Sequence, residues 1–526
     1  MRLGHGTLAR LPGASRPAIT PGEVPTGIVH LGLGAFFRAH QAIYTEEAIA
    51  AGGGDWGITG VAPSSSGVLE ALRGQDGLFS VTSRSAAGSD TRVIAAMSGL
   101  LHAPSAPDEV VRLLASPAVR VVTLTITEKG YADGAAMPSL LVRALIARYR
   151  ADAGPIAVVS CDNLPSNGRY LRAVIERTVN RLGGGFTAGH PTGGAGGTSD
   201  GGIGDNKASG YRTDGSGTSG GGTSGGGTSD GGIGGRGGVG FRGDGGFREW
   251  LRTQVSFPGT MVDRIVPATT KETLAVASGA LGVEDLAAVC GEPYRQWVIE
   301  DDFPGGRPAW ELAGAVLTED AQPWERLKLR TLNGVHSALA YLGAVAGRET
   351  IAQALAMPGM DALMRRLIAE DIAPSLVPPA GVTVAGYGAS VLERFANPAI
   401  GHRTVQVAMD GSQKLPQRVL HTIMDRRAAG AEATWAALVV AAWMRFVQGI
   451  DDDGRPLLLD DPLAGRIRAR LADGPSTPDG VVDSLLGLRE IFPAEFAGDD
   501  TVRTALVTWL TALDKHGVEA TVAGAA

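Results

Sequence analysis

A chain of 526 residues, 44% of them hydrophobic, with a net charge of -7 and two cysteines, is long enough for two or three domains with a large core. The acidic balance and the lack of a basic run argue against nucleic acid as a partner, and Cys161 and Cys290 are too far apart for a structural zinc site or a disulfide framework. The amino terminus lacks the apolar core of a secretory signal, and the most apolar run, Ala433 to Met444, is shorter than the roughly 20 residues that span a bilayer; a cytoplasmic protein with no membrane partner is expected, as a monomer or small homo-oligomer.

The first element is "IVHLGLGAFFRAHQ", Ile28 to Gln41, a strand running through glycines into a helix. Gly32 and Gly34 occupy the first two positions of a dinucleotide fingerprint, where one permits a sharp turn and the next a close approach of the backbone to pyrophosphate. The third position holds Phe37, so the stretch reads equally as a nucleotide cradle or as a plain strand-to-helix corner. Helical "AHQAIYTEEAIAA" follows, then the strands "WGITGVA", "VVTLTITE" and "IAVVSCDN". Such alternation predicts an α/β region with a parallel sheet, whose ligands gather at the carboxyl ends of the strands. Those ends carry Gly32, Gly34, Glu128 and Asn163. After "GITGV" comes "APSSS": Ser64–Ser66 stand where an acidic partner for the ribose diol of NAD is expected, and no arginine is present to take a 2′-phosphate.

From about Gly184 to Gly246 the chain is mostly Gly, Ser, Thr and Asp, and "GTSDGGIG" occurs twice. So little apolar surface cannot offset the entropy of ordering, which predicts a flexible insertion. No Gly-Lys-Ser/Thr follows, so the tract is not a phosphate loop. Beyond it, "TMVDRIVP" reads as a further strand, and from about Pro323 the periodicity is helical.

The stretch that bears chemistry is "WERLKLRTLNGVHSALAYLG", Trp324 to Gly343. On an ideal helix Glu325, Lys328, Asn333 and His336 fall within an arc of roughly 140°, shared with leucines. Polar groups among leucines suit a buried site, but "NG" is also a turn signal that would scatter them, and Lys328 with Glu325 could be a solvated pair. A desolvated lysine can serve as a base near neutrality, and Asn163 and Asn333 can stabilise an alkoxide without charge.

Taken in order, "IVHLGLGAFFRAHQA", "VVTLTITEKGY", "SCDNLPSNG", "TMVDRIVP", "QWVIEDDFPGGRPAW", "KLRTLNGVHSALAYLG" and "RFANPAIGHRTVQVAMDGSQKLPQR" resemble the mannitol dehydrogenase family, the polyol-specific long-chain dehydrogenases and reductases. The resemblance covers nearly the whole chain apart from the glycine-rich insertion. It implies a Rossmann-like amino-terminal domain (1–183 with 247–290), the insertion (184–246) and a mainly α-helical carboxy-terminal domain (291–526). It also implies metal-independent, NAD(P)-linked interconversion of a sugar alcohol or hexonate with its keto form, D-mannitol/D-fructose or D-mannonate/D-fructuronate, with NAD the expected cofactor. By resemblance Lys328 is the general acid/base, Asn163 and Asn333 stabilise the oxyanion, His336 orients the substrate oxygen and Glu325 gates the proton. Gly32, Gly34, Phe36, Arg38, Ser64 and Glu128 are the expected cofactor contacts. Asp263 reads as a substrate-hydroxyl contact or a structural ion pair. Arg403 and Lys414 read as substrate contacts or surface cations, and with Arg394, His402 and Arg418 they would suit a carboxylate. Trp297 reads as core. Phe37 replaces the histidine common in the family and is expected near the pyrophosphate turn. A non-catalytic nucleotide-binding regulator and a β-hydroxyacid dehydrogenase are the competing readings.

Overall fold

The structure, a computed structural model, describes residues 1–64, 67–184 and 245–525, without the side chain of Glu128. Ser65, Ser66 and nearly all of the glycine-rich insertion lie outside the described residues. Residues 1–178 and 246–526 form one unit; the described part of the other, 179–245, is essentially the end of the helix Asn167–Gly184.

Six parallel strands make the main sheet, in the order Met97–His102, Gly57–Ala62, Thr26–Leu31, Val121–Leu124, Ile156–Ser160 and Val255–Ser256. The inner strands are short apolar runs buried along almost their whole length, as a sheet covered on both faces requires. Chain order reverses beside Thr26–Leu31: the next strands build outward on one side, and Val121–Leu124 then joins the other. That reversal opens a crevice at the carboxyl ends of these two strands, where ligands of such sheets bind.

The strand "TMVD" is not part of this sheet. Thr260–Asp263 pairs antiparallel with Gln296–Glu300, Val262 opposite Trp297, and Gln296–Glu300 pairs in parallel with Val316–Thr318. Trp297 and Trp310 are fully buried, 4.7 Å apart between ring centres, in the core beneath the main sheet. Residues 296–318 therefore pack with the amino-terminal core, and the next long helical run starts at Gln322. Strands Phe79–Ser85 and Gly88–Ile94 form an antiparallel pair joined by Val289–Gly291, an addition with no clear alternating signal in the sequence.

The second core is helical. Gly334–Val345 and Thr434–Phe446 are buried at essentially every position and pack on each other, with Asp500–Ala525 against the latter. Their Ala- and Leu-rich composition fits burial on all sides. No described helix is long and apolar enough to cross a membrane.

Candidate active site

The helix entering the second core starts at Gln322, with Pro323 in its first turn, and runs through Leu327. Lys328–Asn333 is then a π-helical turn, and Gly334 resumes the α-helix. The Asn-Gly pair makes no turn. Gly334 is needed for another reason: a Cβ there would lie 3.0 Å from the carbonyl oxygen of Arg418. A π turn inserts an extra residue and closes i→i+5, so Lys328 and Asn333, five apart, come round to the same side.

That side faces a cleft of about 460 Å³ at the sheet's reversal point, within the usual range for small-molecule sites. Gly34–Phe36 enter it from the end of Thr26–Leu31, Thr125 and Thr127 from the next strand, Asp162 and Asn163 from the third, Asp263 from the small sheet, and Lys328, Asn333 and His336 from the helix. Lys328 is 7% exposed. Its Nζ donates to Asn163 Oδ1 at 2.8 Å and to the Val262 carbonyl at 2.6 Å, leaving one of three ammonium protons for a ligand. Burial lowers this ammonium to about 8; Asp263 pulls it back up, while Arg418 and Arg394 push it further down. Asn333 Nδ2 and His336 Nε2 are buried without a hydrogen-bond partner. Buried polar groups are rarely left so, and both residues line the cleft. His336 is driven well below the ordinary histidine range by burial and by His402, Arg418, Arg394 and Lys414 around it, so its imidazole is neutral. It stacks on Phe395 at 4.6 Å.

Asp162 is a residue the sequence reading passed over. Its carboxylate accepts from the backbone N–H of Ile126 and of Thr127 at 3.0 Å each and from the Tyr131 hydroxyl at 2.6 Å. It ties together the ends of two strands and so fixes Asn163 beside it. Its position next to Asn163 at a polar strand end was the available signal. Among the described residues no group of three His, Cys, Asp or Glu side chains is placed to hold a metal.

The description "Mannitol dehydrogenase Rossmann domain" matches residues 26–184 and 240–312, and "Mannitol dehydrogenase C-terminal domain" matches 320–514. The chain belongs to the mannitol dehydrogenase family. It is 34% identical to the D-mannonate oxidoreductase of Escherichia coli (strain K12), over 91% of this chain and 91% of that protein. It is 31% identical to the mannitol 2-dehydrogenase of Cereibacter sphaeroides, over 97% of each. In structure it resembles Pseudomonas fluorescens mannitol 2-dehydrogenase, solved as a ternary complex with NAD and D-mannitol, with a TM-score of 0.77, 30% identity and 99% of both chains covered.

Against this family frame the expected site residues divide. Lys328, Asn163, Asn333, His336, Gly34, Phe36 and Asp263 share the one cleft. Glu325 does not line it: its carboxylate accepts from Ser166 N at 3.0 Å beside a small separate pocket, although its charge still acts on Lys328. Gly32 makes the turn and is not part of the cleft wall; its φ is +116°, and a Cβ would stand 2.2 Å from the Thr125 carbonyl oxygen. Arg38 is turned into the protein, donating to the carbonyls of Leu33 and Ala287, so its fork is not presented to a cofactor. Phe37 is also turned inward, fully buried and stacked on His30 at 3.6 Å; it fills the core below the turn rather than approaching a pyrophosphate. Ser64 is exposed beyond Gly57–Ala62, and its carbonyl accepts from His102 at 3.2 Å. The side chain of Glu128 lies outside the described residues. Asp263 is held in an ion pair with Arg394 and also lines the cleft. Arg403 is exposed and absent from the cleft wall, which its neighbour His402 joins instead. Lys414 faces an adjoining chamber and donates to the Met409 carbonyl.

Proposed function

We propose that the protein interconverts a sugar alcohol or aldonate and its keto form, with NAD as hydride partner and Lys328 as the proton-transfer group. The observation that carries this reading is the Lys328 ammonium. It is shielded from water, brought to about 8, and held beside two amide side chains in a cleft at the sheet's reversal point. A general acid/base works best with a pKa near the operating pH.

The cleft suits the dinucleotide at Gly34, where a Cβ would meet no atom within 4 Å; the backbone there is open to a bulky ligand. Gly34, Ala35 and Phe36 with Thr125 and Thr127 would hold it, and when bound it supplies the acceptor for hydride. The chain's own groups do the rest. In the oxidation direction neutral Lys328 takes the hydroxyl proton. Asn163, whose Oδ1 is engaged by Lys328, is left with its amide N–H groups for the developing oxyanion, and Asn333 Nδ2 adds an uncommitted donor. Both are dipoles fixed in place before the charge appears. Neutral His336 orients the same oxygen. Glu325, off the cleft but coupled to Lys328, is placed to accept the proton as it leaves. Asp162 keeps Asn163 in register.

The test follows NADH absorbance with D-fructuronate and D-fructose, and with NADPH in parallel. Turnover of at least one ketose or keto acid, lost by about 10²–10⁴-fold in Lys328→Ala, is the expected result. No turnover with either cofactor, or an undiminished Lys328→Ala, overturns the proposal.

A further inference from the structure

A second chamber of about 530 Å³ adjoins the cleft, and Asn163 belongs to both walls. Its lining includes Tyr170, Leu329, Gln413, Lys414 and Arg418. Leu329 follows Lys328 in the π-helical turn, so the chamber begins one residue from the proposed proton-transfer group. Its charge is unusual. The carboxylate in its wall, Asp410, stands 3.9 Å from Lys414 and is half exposed. Arg418 has no such counterpart. Among the described residues its hydrogen bond is to Ser337 Oγ at 3.0 Å, and no carboxylate acts on it. The buried Tyr341 phenol beside it is pushed up by burial and stays neutral. A largely enclosed guanidinium without an anion is costly to a fold, and Arg418 is part of the chamber wall.

Its placement is also fixed. The backbone of Arg418 rests against Gly334, with room for no side chain between them, and its side chain is steered by Ser337. Gly334 follows Asn333 and Ser337 follows His336, so the guanidinium is registered to two cleft residues that carry buried polar atoms without partners. Arginine binds a carboxylate through two parallel N–H···O bonds, and most of the Arg418 fork is uncommitted.

We propose that Arg418 anchors the carboxylate of the substrate in this second chamber, so that the enzyme acts on a polyhydroxy acid and its keto form in preference to a neutral polyol. The inference rests on the reading of the adjoining cleft as the site of polyol or aldonate oxidation. Lys414, one turn earlier on the same helical run, adds to the positive potential of the chamber, and Asp410 moderates it. The secondary alcohol lies at Lys328 and the carboxylate at Arg418, with Asn163 between the two compartments.

The experiment is isothermal titration of the full chain, with and without NADH, using matched pairs: D-mannonate and D-mannitol, D-gluconate and D-glucitol, D-altronate and D-altritol. At least one hexonate is expected to bind tenfold or more tighter than its hexitol. In Arg418→Met that preference should collapse at least tenfold, and Arg418→Lys should recover part of it. If no hexonate outbinds its hexitol in the unaltered protein, the proposal fails without recourse to a variant. It also fails if Arg418→Met, shown folded by its thermal melt, keeps the preference. The two proposals fail separately: binding of a hexonate through Arg418 with no NAD reduction removes the catalytic reading alone, whereas turnover with an unchanged preference in Arg418→Met removes the anchor alone.

Discussion

Arg394 clasps Asp263 with both prongs of its guanidinium, Nη1 to Oδ2 at 2.7 Å and Nη2 to Oδ1 at 2.9 Å, and turns its remaining edge to Glu292. All three side chains are at most 7% exposed. Asp263 ends the small sheet, whereas Arg394 lies on the helix Val384–Phe395, so the cluster pins the helical region to the sheet at the edge of the cleft. Arg394→Met would leave two buried carboxylates without their ion-pair partner. The expected cost is about 3–5 kcal/mol, measured as a drop in the urea midpoint. Adding Asp263→Asn and Glu292→Gln to Arg394→Met should recover part of the loss, because no uncompensated charge then remains. A urea midpoint unchanged in Arg394→Met contradicts the pinning role.

The same aspartate sets the proton chemistry. Lys328 lies at about 8, and Asp263 is the strongest influence holding it up against burial. Oxidation needs the neutral amine. Its kcat/KM should therefore rise with pH, about tenfold per unit below the midpoint, and level off above about 8; reduction needs the ammonium and should stay level up to about 8 and fall about tenfold per unit above it. Asp263→Asn removes the charge that favours the protonated form. The oxidation profile should then move to lower pH, and a shift to higher pH would show that this account of Lys328 is wrong.

Asp162 makes a different prediction. It accepts three hydrogen bonds, from the backbone N–H of Ile126 and of Thr127 and from the Tyr131 hydroxyl, which also meets Ser160 Oγ at 2.8 Å. Asp162→Asn turns one acceptor oxygen into a donor facing a donor. Asn163 should lose its register, lowering kcat more than it raises KM. Asp162→Ala, which removes the conflict but leaves the N–H groups unpaired, should be impaired as well. Equal activity of Asp162→Asn and the unaltered protein excludes a positioning role.

Much of this was legible in the sequence. Short apolar runs marked four strands of the parallel sheet, and their polar ends marked where the ligand side would be. Lys328, Asn333 and His336 were legible as a set because an ideal helix already places them within one arc. The π-helical turn was not, since "NG" carries the local signature of a turn and the close approach of the Arg418 backbone to Gly334 is a tertiary contact that the local sequence does not show. Side-chain direction was the other blind spot. Phe36, Phe37 and Arg38 are consecutive, yet only Phe36 reaches the cleft; Phe37 packs on His30, and Arg38 donates to the carbonyl of nearby Leu33 and to that of distant Ala287. Nothing in a run of three bulky residues says which one faces out. The strands near residues 79–94 were missed because tertiary pairing, rather than an alternating pattern, makes them strands.

The two glycines of the turn separate folding from binding. Gly32 has φ +116° and would press a Cβ into the Thr125 carbonyl at 2.2 Å, whereas Gly34 would place one in open space. Gly32→Ala should therefore destabilise the protein even without ligand, by about 1–3 kcal/mol for the backbone conformation and more for the collision. Gly34→Ala keeps an ordinary extended backbone, φ -63° and ψ 169°, at the start of Ala35–Ala39. Alanine is a poorer helix cap than glycine, which limits the cost to about 1 kcal/mol. Its methyl group nevertheless projects where the backbone is open to the cleft. NADH titration followed by fluorescence should show at least a tenfold weaker complex for Gly34→Ala with a nearly unchanged thermal melt, while Gly32→Ala should melt earlier. If Gly34→Ala binds NADH as well as the unaltered protein does, the cofactor does not approach the chain at this turn, and the nicotinamide end must be reached from another wall of the cleft.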